Sequence, residues 1–545
     1  MNHKQNYLLS SSNFIKFFFY ILPLTSFFLS LYQFNLQYDG HHHGLIFTVT
    51  EDFLDGKILY KDYFPHYGVF YILMNSIFVK IFSNSIYGIY FLISLCQGSI
   101  FLIFGLIIKR NFNEKIAVSA MTMMFLLAPV AWLPWADYLF MALLLFSFYI
   151  LIISKNNFLF LLSGILFSLA GLTKDNFTVL LFVSLISLYI SLFYLKYIRK
   201  KVLYKNLINI YWLSGYLIPL IIFFVYLSYN SAWYEYFNHF NVGKAAINHF
   251  CKSEIDFYLL RNFDCGWIAL TFIFKTSIIK IFTEPYWLFF LLIIATNLFF
   301  IIDTLFLNKG VIVSKKKILL IWISLLCLML FSNVFYWVTI RGLFTGVGVG
   351  MIVLIYVIQN LKSPIIKYLL HCLLLAFLIN GIQFARTTNN PIYPTFSDKG
   401  YNYSNNIKFL KFKKLSNKHW TQLNEFDSIT KAVINNCSFI NYSTNLTNDV
   451  FYRIILKQNF ELLNFIPFGP GDAFKSAIYK NFDPDFYKNF KKEINKDNII
   501  IAIDNVSEIN ISLKNNQKLY LAKSIKYNHY GTKFINIYLP KNCKI

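Results

Sequence analysis

Between residues 38 and 68 the chain concentrates groups able to move protons or to hold phosphate. Tyr38-Asp39-Gly40-His41-His42-His43-Gly44 is followed by Glu51-Asp52, then by Asp55-Gly56-Lys57-Ile58-Leu59-Tyr60-Lys61-Asp62-Tyr63-Phe64-Pro65-His66-Tyr67-Gly68. Acids and imidazoles set directly after an apolar run are costly near lipid, and such placement marks a functional site. A carboxylate level with the headgroups suits a reaction between a hydroxyl acceptor and a lipid-linked phosphate donor, because the hydroxyl must lose its proton as it attacks. Asp39 is the expected base. The leaving phosphate then needs a cation, either a Lys or Arg or a divalent metal held by groups such as Asp62 and a histidine.

Each residue also has a plainer reading. Asp39-Gly40 is equally a turn that ends a helix. Three adjacent histidines cannot all face one ion on a helix; His42 and His43 share a face with Asp39 and are the candidate metal ligands, against a headgroup-level polar patch. Ile46, Val49 and Phe53 recur at helical spacing and Gly56 offers a stop, so 44–55 is expected as a helix lying in the interface. Glu51, Asp52 and Asp55 form its wet face. His66 beside Pro65 joins the substrate-binding candidates.

Further candidates lie at the ends of apolar runs. Asp137, in Pro134-Trp135-Ala136-Asp137-Tyr138, and Lys174-Asp175 either line a donor cavity or mark solvated helix ends. The segment Trp233 to Asp264 offers His239, Lys244 and His249 for acceptor or metal binding, although its aromatics suit an interfacial belt as well. Arg341 can grip two phosphate oxygens at once, or serve as an interface anchor. Gly346-Val347-Gly348-Val349-Gly350 has no following lysine and sits in an apolar run, so it reads as helix packing rather than a nucleotide loop; no nucleotide cofactor is expected.

The elements that must position these groups are membrane helices. Of 545 residues, 57% are hydrophobic and 20% aromatic, and the 14% that are charged fall well short of the roughly 25% of soluble domains. This excludes an ordinary soluble enzyme. Apolar runs fall near 13–34, 67–83, 86–108, 116–133, 136–154, 158–173, 176–198, 207–229, 285–307, 318–339, 343–360 and 365–384. The expected fold is a polytopic α-helical membrane protein of about 11–13 transmembrane helices with a C-terminal soluble α/β domain. Residues 1–384 form the multi-spanning part, with a first external loop at 35–66 carrying the interfacial helix and a second external loop at 230–284. Residues 385–399 are a linker, and 400–545 an extracytoplasmic soluble domain. Within it, 438–442, 499–503 and 534–539 are β-prone, and 423–435, 449–457 and 484–494 helical.

Lysine and arginine number 50 against 26 acids, a formal charge of +24. No nucleic-acid module accompanies that charge. Clusters at Lys109-Arg110, Arg199-Lys200-Lys201, Lys315-Lys316-Lys317 and Lys362–Lys367 instead mark the cytoplasmic side and its anionic lipids. A conflict follows. If the chain starts inside, two complete crossings between 67 and 108 put Lys109-Arg110 outside, so an early segment must be re-entrant, interfacial or wrongly divided. Seven cysteines are too few for a disulfide scaffold. Cys96, Cys327 and Cys372 fall in apolar runs as core residues, and Cys251 and Cys265 are the pair expected to bond if their loop faces an oxidising compartment.

An acid after the first helix, an amphipathic stretch, Asp55-Gly56-Lys57-Ile58-Leu59-Tyr60-Lys61-Asp62 and an aromatic Pro65-His66-Tyr67-Gly68 together resemble the GT-C superfamily of membrane glycosyltransferases. Within it they are similar to bacterial polyprenyl-phosphate-sugar-dependent enzymes, namely lipid A aminoarabinose transferases and protein O-mannosyltransferases. Leu161 to Lys174, a small-residue helix ending in Thr-Lys, also resembles a segment of that superfamily. The resemblance covers roughly residues 13–240. It implies a GT-C-like fold, a catalytic aspartate at Asp39 and an acid at Asp62 that in some relatives contributes to a divalent-metal site. The lysine that follows this second acid in aminoarabinose transferases is Tyr63 here, which leaves Lys61 or Lys57 for phosphate contact. Many members carry two adjacent acids after the first helix, where this chain has Asp39-Gly40.

The function so implied is inverting hexosyl or pentosyl transfer at the bacterial inner membrane. The donor is a polyprenyl-phosphate sugar and the acceptor a lipid, such as lipopolysaccharide, a polysaccharide or a protein, on the extracytoplasmic face. Two rivals are an O-antigen ligase or polymerase, which would centre on a late external loop, and a lipid-linked glycan transporter or flippase, which would carry ionisable groups at mid-span.

Overall fold

The computed structural model describes residues 11–37, 39–40, 42–63, 65, 67–127, 130–131, 133–200, 202–203, 209–238, 286–307, 312–334, 348–365, 370, 401–403, 407–437, 441–444, 450–459, 499–504, 519–529 and 532–543. The N-terminal half is a helix bundle: α1 Ser11–Leu36, α2 His42–Leu54, α3 Val69–Ile81, α4 Tyr87–Asn111, α5 Glu114–Leu127, α6 Ala136–Ile153, α7 Asn157–Gly171, α8 Asp175–Phe193 and α9 Ile210–Tyr229. Helices Tyr286–Ile302, Lys315–Val334 and Gly348–Asn360 follow. Among the described residues five helices are long and apolar enough to cross a bilayer, namely α1, α4, α6, α8 with its π-helical extension to Ile198, and α9.

Burial sorts these spans. α4 and α6 are mostly enclosed, while α1, α8 and α9 are mostly open. The outward side chains Phe14, Phe17, Phe28, Phe182 and Ile222 are apolar, as lipid contact requires. Close crossings use small residues. A Cβ on Gly164 of α7 would fall on the carbonyl oxygen of Trp212, and one on Gly215 of α9 on that of Leu161, so these two helices meet backbone to backbone. Ser147 and Ser163 exchange hydroxyl-to-carbonyl bonds at 2.8 and 2.9 Å, tying α6 to α7.

The early conflict in the count of crossings disappears on the geometry of α3. Its 13 residues make a rod of about 20 Å, and its course is decided by where its two ends attach. Gly68, at its start, donates its N–H to Thr173 O. Just past its end, Ser85 and Ile86 bond to Phe409 O. Both ends of α3 therefore attach to the face that carries the loops between α1 and α2 and between α7 and α8. Only α4 returns across, so Lys109-Arg110 joins the other basic clusters. On that opposite face Lys316 Nζ donates to Asn111 O at 3.1 Å, the Arg199 guanidinium donates to Phe306 O, and strand β1 (Val202–Leu203) pairs in parallel with β2 (Ile312–Val313).

The C-terminal part is an α/β unit. Strands β3 (Tyr401–Tyr403) and β4 (Lys414–Ser416) form an antiparallel pair. Strands β5 (Asn441–Thr444), β6 (Ile499–Asp504), β7 (Leu519–His529) and β8 (Thr532–Pro540) form a sheet in the order β5-β6-β8-β7, parallel only between β5 and β6. Helices Asn417–Asn436 and Val450–Asn459 pack together, with Phe426 and Tyr452 edge to face at 4.9 Å. Three of these six strands and both helices meet the sequence expectation; β3, β4 and β7 do not appear in it, and 484–494 lies outside the described residues. Cys437 is disulfide-bonded to Cys543, joining the end of helix Asn417–Asn436 to the segment beyond β8. Cys96 and Cys327 are buried and free, as expected of core residues. Cys251, Cys265 and Cys372 lie outside the described residues.

Candidate active site

α1 is followed within three residues by Asp39, and Asp39 opens α2. Its Oδ1 accepts the His42 backbone N–H at 2.8 Å, and its carbonyl accepts the His43 N–H at 3.2 Å, the arrangement of a helix N-cap. Its other carboxylate oxygen meets His42 Nδ1 at 2.8 Å. Asp39 is only 7% exposed. Such burial by itself pushes a carboxyl up, but the charge and hydrogen bonds of His42 outweigh it and hold Asp39 well below the ordinary carboxylate range. The side chain is therefore an anion throughout the physiological range.

The second imidazole takes another direction. His43 is fully buried, shares a hydrogen bond of 2.9 Å between Nδ1 and the Tyr90 hydroxyl of α4, and sits edge-on to the Phe34 and Tyr90 rings. Burial, aided by the nearby charges of Lys413 and His42 and opposed by Asp39, lowers its pKa to about 3, so it is neutral. Lys413, from the C-terminal unit, completes the cluster. Its ammonium donates to Phe34 O and Gln37 O at 2.7 Å each and lies 4.8 Å from the Tyr90 ring centre. Burial lowers its pKa to about 7 against the pull of Asp39.

α2 runs between α3 and the C-terminal unit, and this changes the reading of its polar face. Asp55 is exposed as expected, but Asp52 is fully buried and paired with Lys57 at 2.7 Å, and Thr48 is buried with its hydroxyl turned back to Gly44 O. The wet-face expectation is corrected for Asp52, because Phe409 and Phe451 of the C-terminal part cover the helix, Phe409 reaching Phe47 at 5.5 Å. Gly56 stops the helix in the left-handed region, φ +85°.

The following loop is pinned to α8 and α9. Tyr60, at φ +70°, is buried and donates its hydroxyl to Asp175 at 2.8 Å; burial first, then the Asp175 charge, raise its pKa, so it stays protonated. Leu59 N–H donates to the Tyr226 hydroxyl, and Lys61 Nζ to Asn230 O. Asp62 closes a local turn by accepting the Ile58 N–H at 2.6 Å. Lys174 faces Asp137 at 3.8 Å, the loosest ion pair of the region, with its Nζ over the Phe177 ring. A narrow crevice between α2 and α3 is lined by Ile46, Thr50, Tyr67, Tyr71 and Asn75, and Gly68, just before α3, donates its N–H to Thr173 O beside Lys174.

The structure thus brings Asp39 and His42 into contact and sets Asp137 with Lys174, whereas Lys57 and Lys61 have protein partners of their own. His41, His66, His239 and Arg341 lie outside the described residues. As for a divalent metal, no three His, Cys, Asp or Glu side chains gather among the described residues, and Asp62 serves its own turn. No step below uses a metal. Tyr60, Tyr90 and Lys413 are the members that sequence reasoning missed. The first two look like ordinary membrane aromatics, and Lys413 is one among many C-terminal lysines.

A bundle of apolar helices, five of them among the described residues long enough to span a bilayer, joined to a C-terminal α/β unit, is the architecture of a polytopic membrane protein. Compared with solved structures, the chain is similar to ArnT from Cupriavidus metallidurans bound to undecaprenyl phosphate, with a TM-score of 0.51 and 11% identity over 97% of this chain and 98% of that one. The apo form of the same protein aligns over the same shares at 11% identity and a TM-score of 0.48. No family model matches the sequence, and no curated protein does.

Proposed function

We propose that the chain is a membrane glycosyltransferase that moves a sugar from a polyprenyl-phosphate-linked donor to a hydroxyl of a lipid, polysaccharide or protein acceptor. The transfer is extracytoplasmic and inverting, with Asp39 as general base. The observation that carries the reading is Asp39 itself: a buried anion at the mouth of the first span, beside an imidazole. A GT-C-type fold shared with a protein whose crystal structure holds undecaprenyl phosphate supports the donor class. The side of the membrane is supported by the Cys437–Cys543 disulfide, at home in an oxidising compartment, and by the basic clusters on the opposite face.

In the reaction the acceptor oxygen attacks the anomeric carbon as the bond to the phosphate oxygen breaks, and the lipid phosphate leaves with the bonding pair. A carboxylate held so low is a weak base toward a free alcohol. Proton transfer is therefore late, once the new C–O bond has made the attacking oxygen acidic, and the proton passes to Asp39. Lys174, in its loose pair with Asp137, is the cation assigned to the departing phosphate.

Asp39→Asn separates this role from capping, since asparagine caps helices as well as aspartate does. In purified protein given labelled polyprenyl-phosphate sugars, the variant should lose about 10²–10⁴-fold in kcat while remaining folded, with at most a modest fall in melting temperature from the lost charge pairing with His42. Near-normal turnover would remove Asp39 as the base.

A further inference from the structure

Residues 407–416 strap the C-terminal unit across the turns that lead into and out of the Asp39 corner. Ile86 N–H and the Ser85 hydroxyl donate to Phe409 O, Ser85 also reaches Lys411 O, and Lys414 N–H donates to Asn35 Oδ1. Phe412 holds φ +72°, a conformation that side-chain-bearing residues rarely adopt, and the next residue is Lys413. The ammonium of Lys413 is taken fully out of water.

Such burial is expensive for an ammonium, and a methionine would fill the same space at no electrostatic cost. Among the described residues no carboxylate lies within ion-pair distance of Lys413. Its partners are instead the carbonyls of Phe34 and Gln37, the end of α1 and the residue beyond it, where the helix leaves acceptors unsatisfied and its dipole is negative. Gln37 stands two residues before Asp39. We infer that Lys413 is a positioning residue: by gripping Phe34 O and Gln37 O from the C-terminal unit it fixes the segment that leads to the Asp39 carboxylate, so that the C-terminal unit is part of the catalytic device. This rests on the glycosyltransferase reading above.

The test uses the full chain in lipid nanodiscs, as wild type, Lys413→Met and Lys413→Arg. Methionine should lower kcat by about 10–100-fold, the loss expected from misplacing a reacting group by roughly an ångström, while KM for the polyprenyl-phosphate donor stays within about threefold. Arginine, which keeps the cation, should recover much of the rate. A lysine that merely fills space would leave kcat unchanged in the methionine form. Hydrogen exchange over residues 34–43, read without any turnover, should quicken in Lys413→Met and not in Lys413→Arg. If none of the three forms transfers sugar, the glycosyltransferase reading fails. Exchange that stays at the wild-type rate in Lys413→Met, or wild-type kcat in that form, overturns the inference on Lys413.

Discussion

His43 makes the α2 corner sensitive to acid, and the sign follows from its burial. In the folded chain its pKa is held at about 3, whereas in the unfolded chain it returns to about 6.5. Between those values the unfolded state binds the extra proton, so stability is lost as pH falls through that window, by an amount on the order of a few kcal/mol. Asp39, depressed in the fold, adds a loss in the same direction below about pH 4. The melting temperature should therefore fall more between about pH 7 and pH 5 in the wild type than in His43→Gln. An equal slope in the variant would assign the sensitivity elsewhere. Asp39 and His42 were legible in the sequence because their spacing of three is a local, helical relation. Lys413 was not, because it meets Gln37 across 376 residues of chain, and no local pattern distinguishes it from its neighbours. Tyr60 escaped for the same reason, its partner Asp175 lying 115 residues away.

At the scale of elements, hydropathy located the runs but not which of them cross. The run near 67–83 looks like a span in composition, yet α3 occupies only Val69–Ile81. The residues just before it, Gly68 included, form an approach of backbone to backbone. A Cβ on Gly68 would lie 2.7 Å from Lys174 N and closer still to Leu172 O. Gly68→Ala should thus part α3 from the loop that carries Lys174, at a cost of about 1–3 kcal/mol, and lower turnover more than a change at an equally buried site remote from the loop. Gly164→Ala provides the comparison, since it loosens α7 from α9 by a similar clash away from Lys174. Should Gly68→Ala melt like wild type and turn over normally, the contact would be dispensable. The polar face of α2 was misjudged because periodicity reports which residues share a stripe, and not whether a distant domain will cover that stripe.

On the scale of the whole molecule, the connections among the described residues sort to two faces. Asp39, Gly68, Asp137, Lys174, Asn230 and the C-terminal strap belong to one, through the bonds of Gly68 to Thr173, Lys61 to Asn230 and Lys413 to Gln37. Lys109, Arg199 and Lys316 belong to the other. With a bilayer between them, the faces must differ in access to a water-soluble reagent. A cysteine at Tyr229, 86% exposed on the strap face, should react with a membrane-impermeant maleimide in intact cells, and one at exposed Lys155, on the basic face, only after permeabilisation. The disulfide gives an independent reading of the same orientation. If the strap face is extracytoplasmic, Cys437 and Cys543 should resist alkylation until reduced. Replacing both by serine should then destabilise the C-terminal unit by about 2–4 kcal/mol, as expected for a cross-link closing a long loop. Labelling of Tyr229→Cys only in opened cells, together with free thiols at 437 and 543, would turn the molecule over in the membrane and place Asp39 on the cytosolic side. A donor presented in the outer leaflet could not then reach it.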